Sequence, residues 1–198
     1  MIEQFPKIRS LITLVLLSVA WLSSLAGFAY LTQYQFTPGK TGNIPIYRPA
    51  NVPVGQTEAP YSLLLFLHPE CPCSMATLTE LQKLMAHTGS KMYVHIIFWQ
   101  PLNHNDRFLD TKLVNAAKEL PQVKITNDEG GALAKQFGVK TSGTALLYHS
   151  NGRLLFNGGI TESRAHEGDN EGAATIYQIV KNCIANDVKS SPVFGCSL

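Results

Sequence analysis

A short apolar strand running straight into two cysteines separated by one proline constrains this 198-residue chain more than any other feature. Tyr61-Ser62-Leu63-Leu64-Leu65-Phe66-Leu67 reads as a buried strand, and Met75 to Leu84 reads as an amphipathic helix. Between them stand His68-Pro69-Glu70-Cys71-Pro72-Cys73-Ser74. Both thiols therefore sit where a strand hands over to a helix N-terminus. Unsatisfied backbone N–H groups and the positive end of the helix dipole stabilise a thiolate there. Such positions lower a cysteine pKa from ~8.5 to roughly 3.5–7.5, which makes the sulfur a nucleophile or a soft metal ligand.

The N-terminus carries a second constraint. No Asp, Glu, Lys, Arg or His occurs from Ser10 to Gly39, and Leu11 to Leu31 is a 21-residue run of mostly apolar residues. A bilayer core takes about 20 such residues as a helix. Lys7 and Arg9 precede the run and Lys40 is the next cation, so the positive-inside rule leaves the N-terminus in the cytoplasm and the rest outside. Gly27-Phe28-Ala29 also fits a small-x-small cleavage site, so two readings stand, an uncleaved anchor and a removed signal peptide. The run outlasts the usual h-region, which favours the anchor. Both readings export the domain and permit disulfides. A net charge of +2 gives no electrostatic case for nucleic acid.

The chain divides into a cytoplasmic N-terminus (1–10), a transmembrane signal anchor (11–31), a Pro/Gly-rich linker (32–60), a folded domain (61–186) and a Cys-containing tail (187–198). The linker holds Pro38, Pro45, Pro49, Pro53 and Pro60, which deny it a helix and predict an extended spacer. Within the domain the patterns predict strand 61–67, helix 74–87, strand 92–99, helix 111–120, a short strand 123–126, helix 131–137, strands 144–148 and 153–156 joined at Asn151-Gly152, and helix 172–185. Met75, Leu78, Leu81, Leu84 and Met85 form the apolar stripe of the first of these helices. The order requires crossovers early and a hairpin late, hence a mixed sheet with helices on both faces.

A cysteine opening a helix after the first core strand, in this element order, resembles the thioredoxin fold. The local match is to membrane-tethered bacterial thioredoxin-like proteins of the cytochrome-maturation type, whose motif reads C-P-P-C-x-A-x-L-x-E-L. Here stand Cys71-Pro72-Cys73-Ser74-Met75-Ala76-Thr77-Leu78-Thr79-Glu80-Leu81. The H-P-x-C-P-C start resembles the bacterial RedB proteins, and the likeness spans about residues 61–185. It implies an α/β thioredoxin-like mixed β-sheet flanked by helices, preceded by one N-terminal transmembrane helix. It also implies a thiol–disulfide oxidoreductase of the bacterial inner membrane, facing the periplasm. Protein thiols or disulfides are the expected partners, with a transmembrane electron donor and no required cofactor. Two departures stand out. Ser74 occupies the position of the family's second cysteine, and Gly143 occupies that of its cis-proline, which alters the substrate-docking backbone edge.

Three chemical readings stay open. Cys71 attacks and Cys73 resolves, through a strained ring that is easily reduced. Alternatively Cys71 attacks and Cys196 resolves from a flexible tail. In the third, Cys71, Cys73 and His68 hold a soft ion such as Cu(I), and the protein is a metallochaperone or cofactor-assembly protein. Supporting roles fall to His68, Pro72, Ser74, Gly143, Thr144, Arg164 and His166. Pro72 suits a first helical turn and leaves Cys71 near the N-cap. The polar loop 161–170 would bring Arg164 and His166 beside the cysteines, with Asp169 or Asn170 capping the last helix. Cys183, His95, Met75 and Met85 read as core residues.

Overall fold

The computed structural model describes residues 4–50, 52, 58–103, 106–182 and 187–198. The chain forms two units, one ending at Thr37 and one running from Pro38 to Leu198. The first unit is helix α1 (Gln4–Gln35). Among the described residues, Ile8–Gln35 is the one helix long and apolar enough to cross a membrane. Its polar side chains suit that medium. The hydroxyls of Thr13, Ser18, Ser23, Ser24 and Thr32 each donate to the carbonyl four residues back, at 2.8–2.9 Å.

The second unit is built on a six-stranded sheet in the order β3-β2-β1-β4-β5-β6. Its strands are β1 (Tyr61–Leu67), β2 (Met92–Gln100), β3 (Val123–Glu129), β4 (Thr144–His149), β5 (Leu154–Gly158) and β6 (Lys189–Ser190). β1, β2 and β3 run parallel, β4 is antiparallel to β1 and to β5, and β6 lies parallel to β5. Central β1 is buried along its whole length. Its alternate side chains feed two cores. Leu63, Leu65 and Leu67 pack with α2 (Cys73–Thr88), α3 (Lys112–Lys118) and α5 (Glu171–Asn182). Leu64 and Phe66 pack on the other face with Phe137, Tyr148 and Ala134 of α4 (Ala132–Gln136). The fold class is the expected one, a mixed sheet between helices.

Three expectations need correcting. The stretch from Pro38 is no free spacer. Gly39 N–H donates to Val193 O (2.7 Å), Leu154 N–H to Ile46 O (2.7 Å) and Arg48 N–H to Gly152 O (2.8 Å), while Ile44 and Val52 join the second core. Proline and glycine rule out a helix, but an extended chain still pairs its backbone against a sheet edge. The tail is likewise folded. β6 pairs with β5, and Val193 and Phe194 are buried. Met75 projects outward at 38% exposure, because buried Ser74 and Thr77 take the inward face of the first turn of α2. Cys183 and the predicted end of the last helix lie outside the described residues.

The loop after β5 is fastened to α2 by Glu80, which is 4% exposed. Its carboxylate accepts from Gly168 N–H (2.8 Å), from Asn170 Nδ2 (3.4 Å) and from Lys83 Nζ (2.7 Å). Asn170 in turn caps α5 by accepting from Ala173 N–H (2.8 Å). Glu80→Ala is expected to lower unfolding free energy by about 2 kcal/mol in a urea titration, since it orphans buried donors. Lys83→Ala removes only a mobile surface cation and is expected to change little.

His95, fully buried in β2, shares a 2.7 Å hydrogen bond with Thr126 Oγ1. Burial, aided by Lys124, pushes its pKa down from 6.5 to about 4. The unfolded chain therefore takes up this proton first, and stability is present above pH 6.5 and is lost as pH falls toward 4. The loss is expected to total on the order of 3 kcal/mol. Chemical denaturation at several pH values measures it, and His95→Gln is expected to flatten that slope.

Candidate functional site

The site forms where three backbone segments meet: the end of β1, the turn before β4 and the C-terminal tail. Pro72 takes the N-cap position of α2 with φ −59°, so Cys73 is the first helical residue and Cys71 stands just outside the helix. Cys71 N–H donates to His68 O (3.1 Å) and Ser74 N–H to Cys71 O (3.0 Å), which closes a tight turn around the sulfur. Gly143, at φ +92°, donates its N–H to Phe66 O (2.8 Å). That conformation favours glycine, and it lets the turn 141–144 lie against the end of β1. The tail closes the third side, with Ser142 N–H donating to Cys196 O (2.8 Å) and Leu198 N–H to Lys140 O (3.1 Å).

Cys71, Cys73 and Cys196 are all free thiols, 5% exposed, 8% exposed and half-buried respectively. Burial works to raise the Cys71 pKa, yet hydrogen bonds overcome it and hold the thiol below its ordinary range. The donors are the Cys196 thiol and N–H, the Cys73 N–H and the Ser74 hydroxyl. Cys73 is pushed up by burial, by the neighbouring Cys71 charge and by donating its S–H to Cys71, with Arg164 opposing. Cys196 is pushed up to about 12 by burial and by donation to Cys71, again opposed by Arg164. The site thus holds one sulfur whose pKa is pulled down beside two whose pKa values are pushed up.

A hydroxyl chain reaches this sulfur from behind. His68 N–H donates to Ser142 Oγ (2.8 Å), and Ser142 Oγ lies 2.9 Å from Ser74 Oγ. With the Ser74 hydroxyl also bonded to Cys71, the two serines link the His68 amide to the sulfur. Both serines are 1% exposed. The position that holds a second thiol in related motifs here holds an O–H donor. Ser142 has no separate signal in the sequence beyond its place beside Gly143.

The other expected residues divide. Arg164 joins the site: its Nη1 donates to Gly195 O (2.6 Å) and its charge bears on Cys73 and Cys196. His68 acts through its backbone. Its ring stacks on Trp99 (5.1 Å, 18°) and meets Phe108 edge-on (5.9 Å), while Nδ1 accepts from Glu70 N–H (3.1 Å). Burial holds the imidazole below its ordinary pKa against the pull of Glu70. Thr144 spends its hydroxyl on Thr141 O (2.6 Å), a structural bond within the turn. His166 has an exposed side chain on the loop surface. Among the described residues, no group of three His, Cys, Asp or Glu side chains is arranged to hold a metal ion.

The strand order, the parallel β1–β2–β3 crossovers, the late hairpin and a cysteine at the start of α2 define a thioredoxin-like fold. No known protein family and no curated protein matches the sequence. Among solved structures, the chain is similar to an uncharacterised conserved protein from Geobacillus kaustophilus, at 17% identity and TM-score 0.58 over 82% of this chain and 91% of that one. It is also similar to a hypothetical protein from Sinorhizobium meliloti 1021, at 19% identity and TM-score 0.55 over 80% and 97%. The pneumococcal exposed lipoprotein thioredoxin of Streptococcus pneumoniae strain TIGR4 matches at 19% identity and TM-score 0.43 over 63% and 86%. Identities this low speak for the fold alone.

Ser142→Ala and Ser74→Ala are both expected to raise the Cys71 pKa, with Ser74→Ala the larger because it removes the direct donor. The pH dependence of Cys71 alkylation, followed by peptide mass spectrometry, reads the shift. An unchanged profile in Ser142→Ala would mean the hydroxyl chain does not support the thiolate.

Proposed function

We propose that the protein is a membrane-anchored thiol–disulfide oxidoreductase, similar to the RedB proteins, with Cys71 as nucleophile and Cys196 as resolving thiol. The observation that carries this reading is the pairing of two sulfurs: Cys196 donates its thiol and its N–H to Cys71, lowers the Cys71 pKa, and is the cysteine that would close a disulfide with it. That is the reduced state of a dithiol couple. In the reducing direction, the Cys71 thiolate attacks a partner disulfide, forms a mixed disulfide and releases one partner thiolate. Cys71 then carries no charge, so two influences that raise the Cys196 pKa vanish while Arg164 still favours its thiolate. Cys196 loses its proton and attacks the Cys71 sulfur. The Cys71–Cys196 bond forms, the mixed disulfide breaks and the second partner thiol leaves. The partner gains two electrons and one proton, which comes from Cys196, and its other thiolate takes a proton from solvent. The reverse sequence oxidises a partner dithiol.

In this reading α1 lies in a bacterial inner membrane with Lys7 and Arg9 inside and the domain in the periplasm, where protein thiols and disulfides are the substrates. A transmembrane dithiol would recharge the couple.

The test uses the full-length chain in detergent with a protein disulfide as substrate. Cys71→Ser is expected to reduce exchange to background. Cys196→Ser is expected to accumulate a mixed disulfide on Cys71, whereas Cys73→Ser keeps turning over. Trapping by Cys73→Ser instead would make Cys73 the resolving thiol, and full activity in Cys71→Ser would overturn the nucleophile.

A further inference from the structure

Cys71 is activated and yet enclosed. The residue is 5% exposed and Cys73 beside it 8%, while Ser74 and Ser142 behind the sulfur are 1% exposed. The tail holds the enclosure shut at several points. Ser142 N–H donates to Cys196 O, Leu198 N–H to Lys140 O and Arg164 Nη1 to Gly195 O, while Leu198 packs against the second core. Val193 and Phe194 are buried just upstream. A protein disulfide reaches this sulfur only once the tail has moved. A molecule not much larger than water needs no such movement.

The enclosure also holds the groups that reduction of a small oxidant requires. The attacking sulfur has donors on it from the Ser74 hydroxyl, the Cys196 thiol and the Cys73 N–H. The thiol that must capture the oxidised sulfur, Cys196, is already bonded to it and stands on a separate segment of chain. The Arg164 guanidinium lies against Cys73 and Cys196, and its charge stabilises an oxygen anion departing beside them. We propose that the protein also reduces hydrogen peroxide, with Cys71 as the attacking sulfur, Cys196 as the thiol that closes the disulfide, and the tail in place throughout. The inference shares these two sulfurs with the proposed exchange, and rests on that exchange for the return to the reduced state.

The steps balance. The Cys71 thiolate attacks one peroxide oxygen, the S–O bond forms and the O–O bond breaks, leaving a sulfenic acid and hydroxide. Hydroxide takes the Cys196 proton and becomes water. The Cys196 thiolate then attacks the Cys71 sulfur. The S–S bond forms, the S–O bond breaks, and a second hydroxide leaves and takes a proton from solvent. The two sulfurs lose two electrons and the peroxide gains them. A partner dithiol afterwards reduces the Cys71–Cys196 disulfide. Contact between the two sulfurs keeps the sulfenic acid short-lived, ahead of irreversible oxidation to the sulfinic acid.

The experiment mixes the reduced full-length chain, in peroxide-free detergent, with hydrogen peroxide at neutral pH. Quenching by alkylation and peptide mass spectrometry follow the Cys71–Cys196 disulfide, with free cysteine as the reference. A thiol of pKa ~8.5 is about 3% ionised at pH 7, so complete ionisation alone raises its rate about thirtyfold. The chain is expected to exceed free cysteine about a thousandfold, because donors placed around departing charge add roughly a hundredfold more. A rate within about thirtyfold of free cysteine shows a thiol that is merely ionised, and overturns the proposal. Cys196→Ser is expected to keep the fast first step and to accumulate a Cys71 sulfenic acid that dimedone traps. A Cys71–Cys73 disulfide formed there at the rate of the unaltered chain overturns the role of Cys196. Cumene hydroperoxide, with each rate divided by that of free cysteine, is expected to react about tenfold more slowly than hydrogen peroxide. Equal normalised rates overturn reaction behind a closed tail. Dithionitrobenzoate, a small disulfide, is run in parallel. If it makes the Cys71–Cys196 disulfide while peroxide reacts slowly, peroxide reduction alone is overturned. If neither reagent makes it, Cys71 is not the nucleophile and both readings fall.

Discussion

A buried sulfur whose pKa hydrogen bonds pull below its ordinary range is the constraint to which the surrounding structure answers. Charge in a low-dielectric site persists only where donors surround it. Cys71 meets that demand with groups from every segment that touches it: the start of α2 through Cys73 N–H and Ser74, the tail through the Cys196 thiol and amide, and the turn before β4 through Ser142 at one remove. The glycine at 143 belongs to the same arrangement. Its left-handed conformation brings Ser142 to both Ser74 and the His68 amide.

Under the proposed exchange, the asymmetry among the three thiols decides which sulfur reacts. A sulfur of low pKa is the better leaving group, and one of high pKa the poorer. In a Cys71–Cys196 disulfide, an incoming thiolate that attacks Cys196 expels the favoured Cys71 thiolate. Cys196 is also the more exposed of the two. In the reduced protein the roles reverse, and Cys71 is the attacking group. The couple therefore offers a different sulfur to each class of partner, an oxidant reaching for Cys71 and a reductant for Cys196.

Most of the scaffold was legible because the sheet is buried and its elements are periodic. The continuous apolar runs of β1 and β4, the 3.6-residue spacing of α2 and the Asn151-Gly152 hairpin turn leave patterns that a sequence displays. β6, the packed stretch from Pro38 and the closing tail leave none. Each is held by a few main-chain bonds, from Gly39, Arg48, Ser142 and Leu198, and such bonds do not depend on side-chain identity. The same reason hid Ser142, whose role depends on a neighbour 68 residues away. Cys71, Cys73, Cys196 and Arg164 stood out through the chemistry of their residue types, and Ser74 and Gly143 through their places in the resembled motif; the structure brings all six to one end of the sheet. His68 was legible as a position, and its ring lies in the aromatic wall of Trp99 and Phe108.

The spacing of the cysteines then explains why a third thiol is present. Cys73 is the first residue of α2, and its N–H is one of the donors to Cys71. Drawing its sulfur into a bond with Cys71 would strain the small ring between them and disturb the turn that Pro72 and the Ser74 N–H to Cys71 O bond hold in place. Cys196 arrives on a separate strand, so bonding to Cys71 leaves the first turn of α2 intact. The donors that make Cys71 a good leaving group stay poised for the next exchange. A motif that places its second cysteine one residue early gives up the usual resolving position, and Ser74 there turns a would-be partner thiol into support for the nucleophile. Under the proposed exchange the resolving function falls to Cys196, whose backbone lies on a separate segment and can move without unwinding the helix.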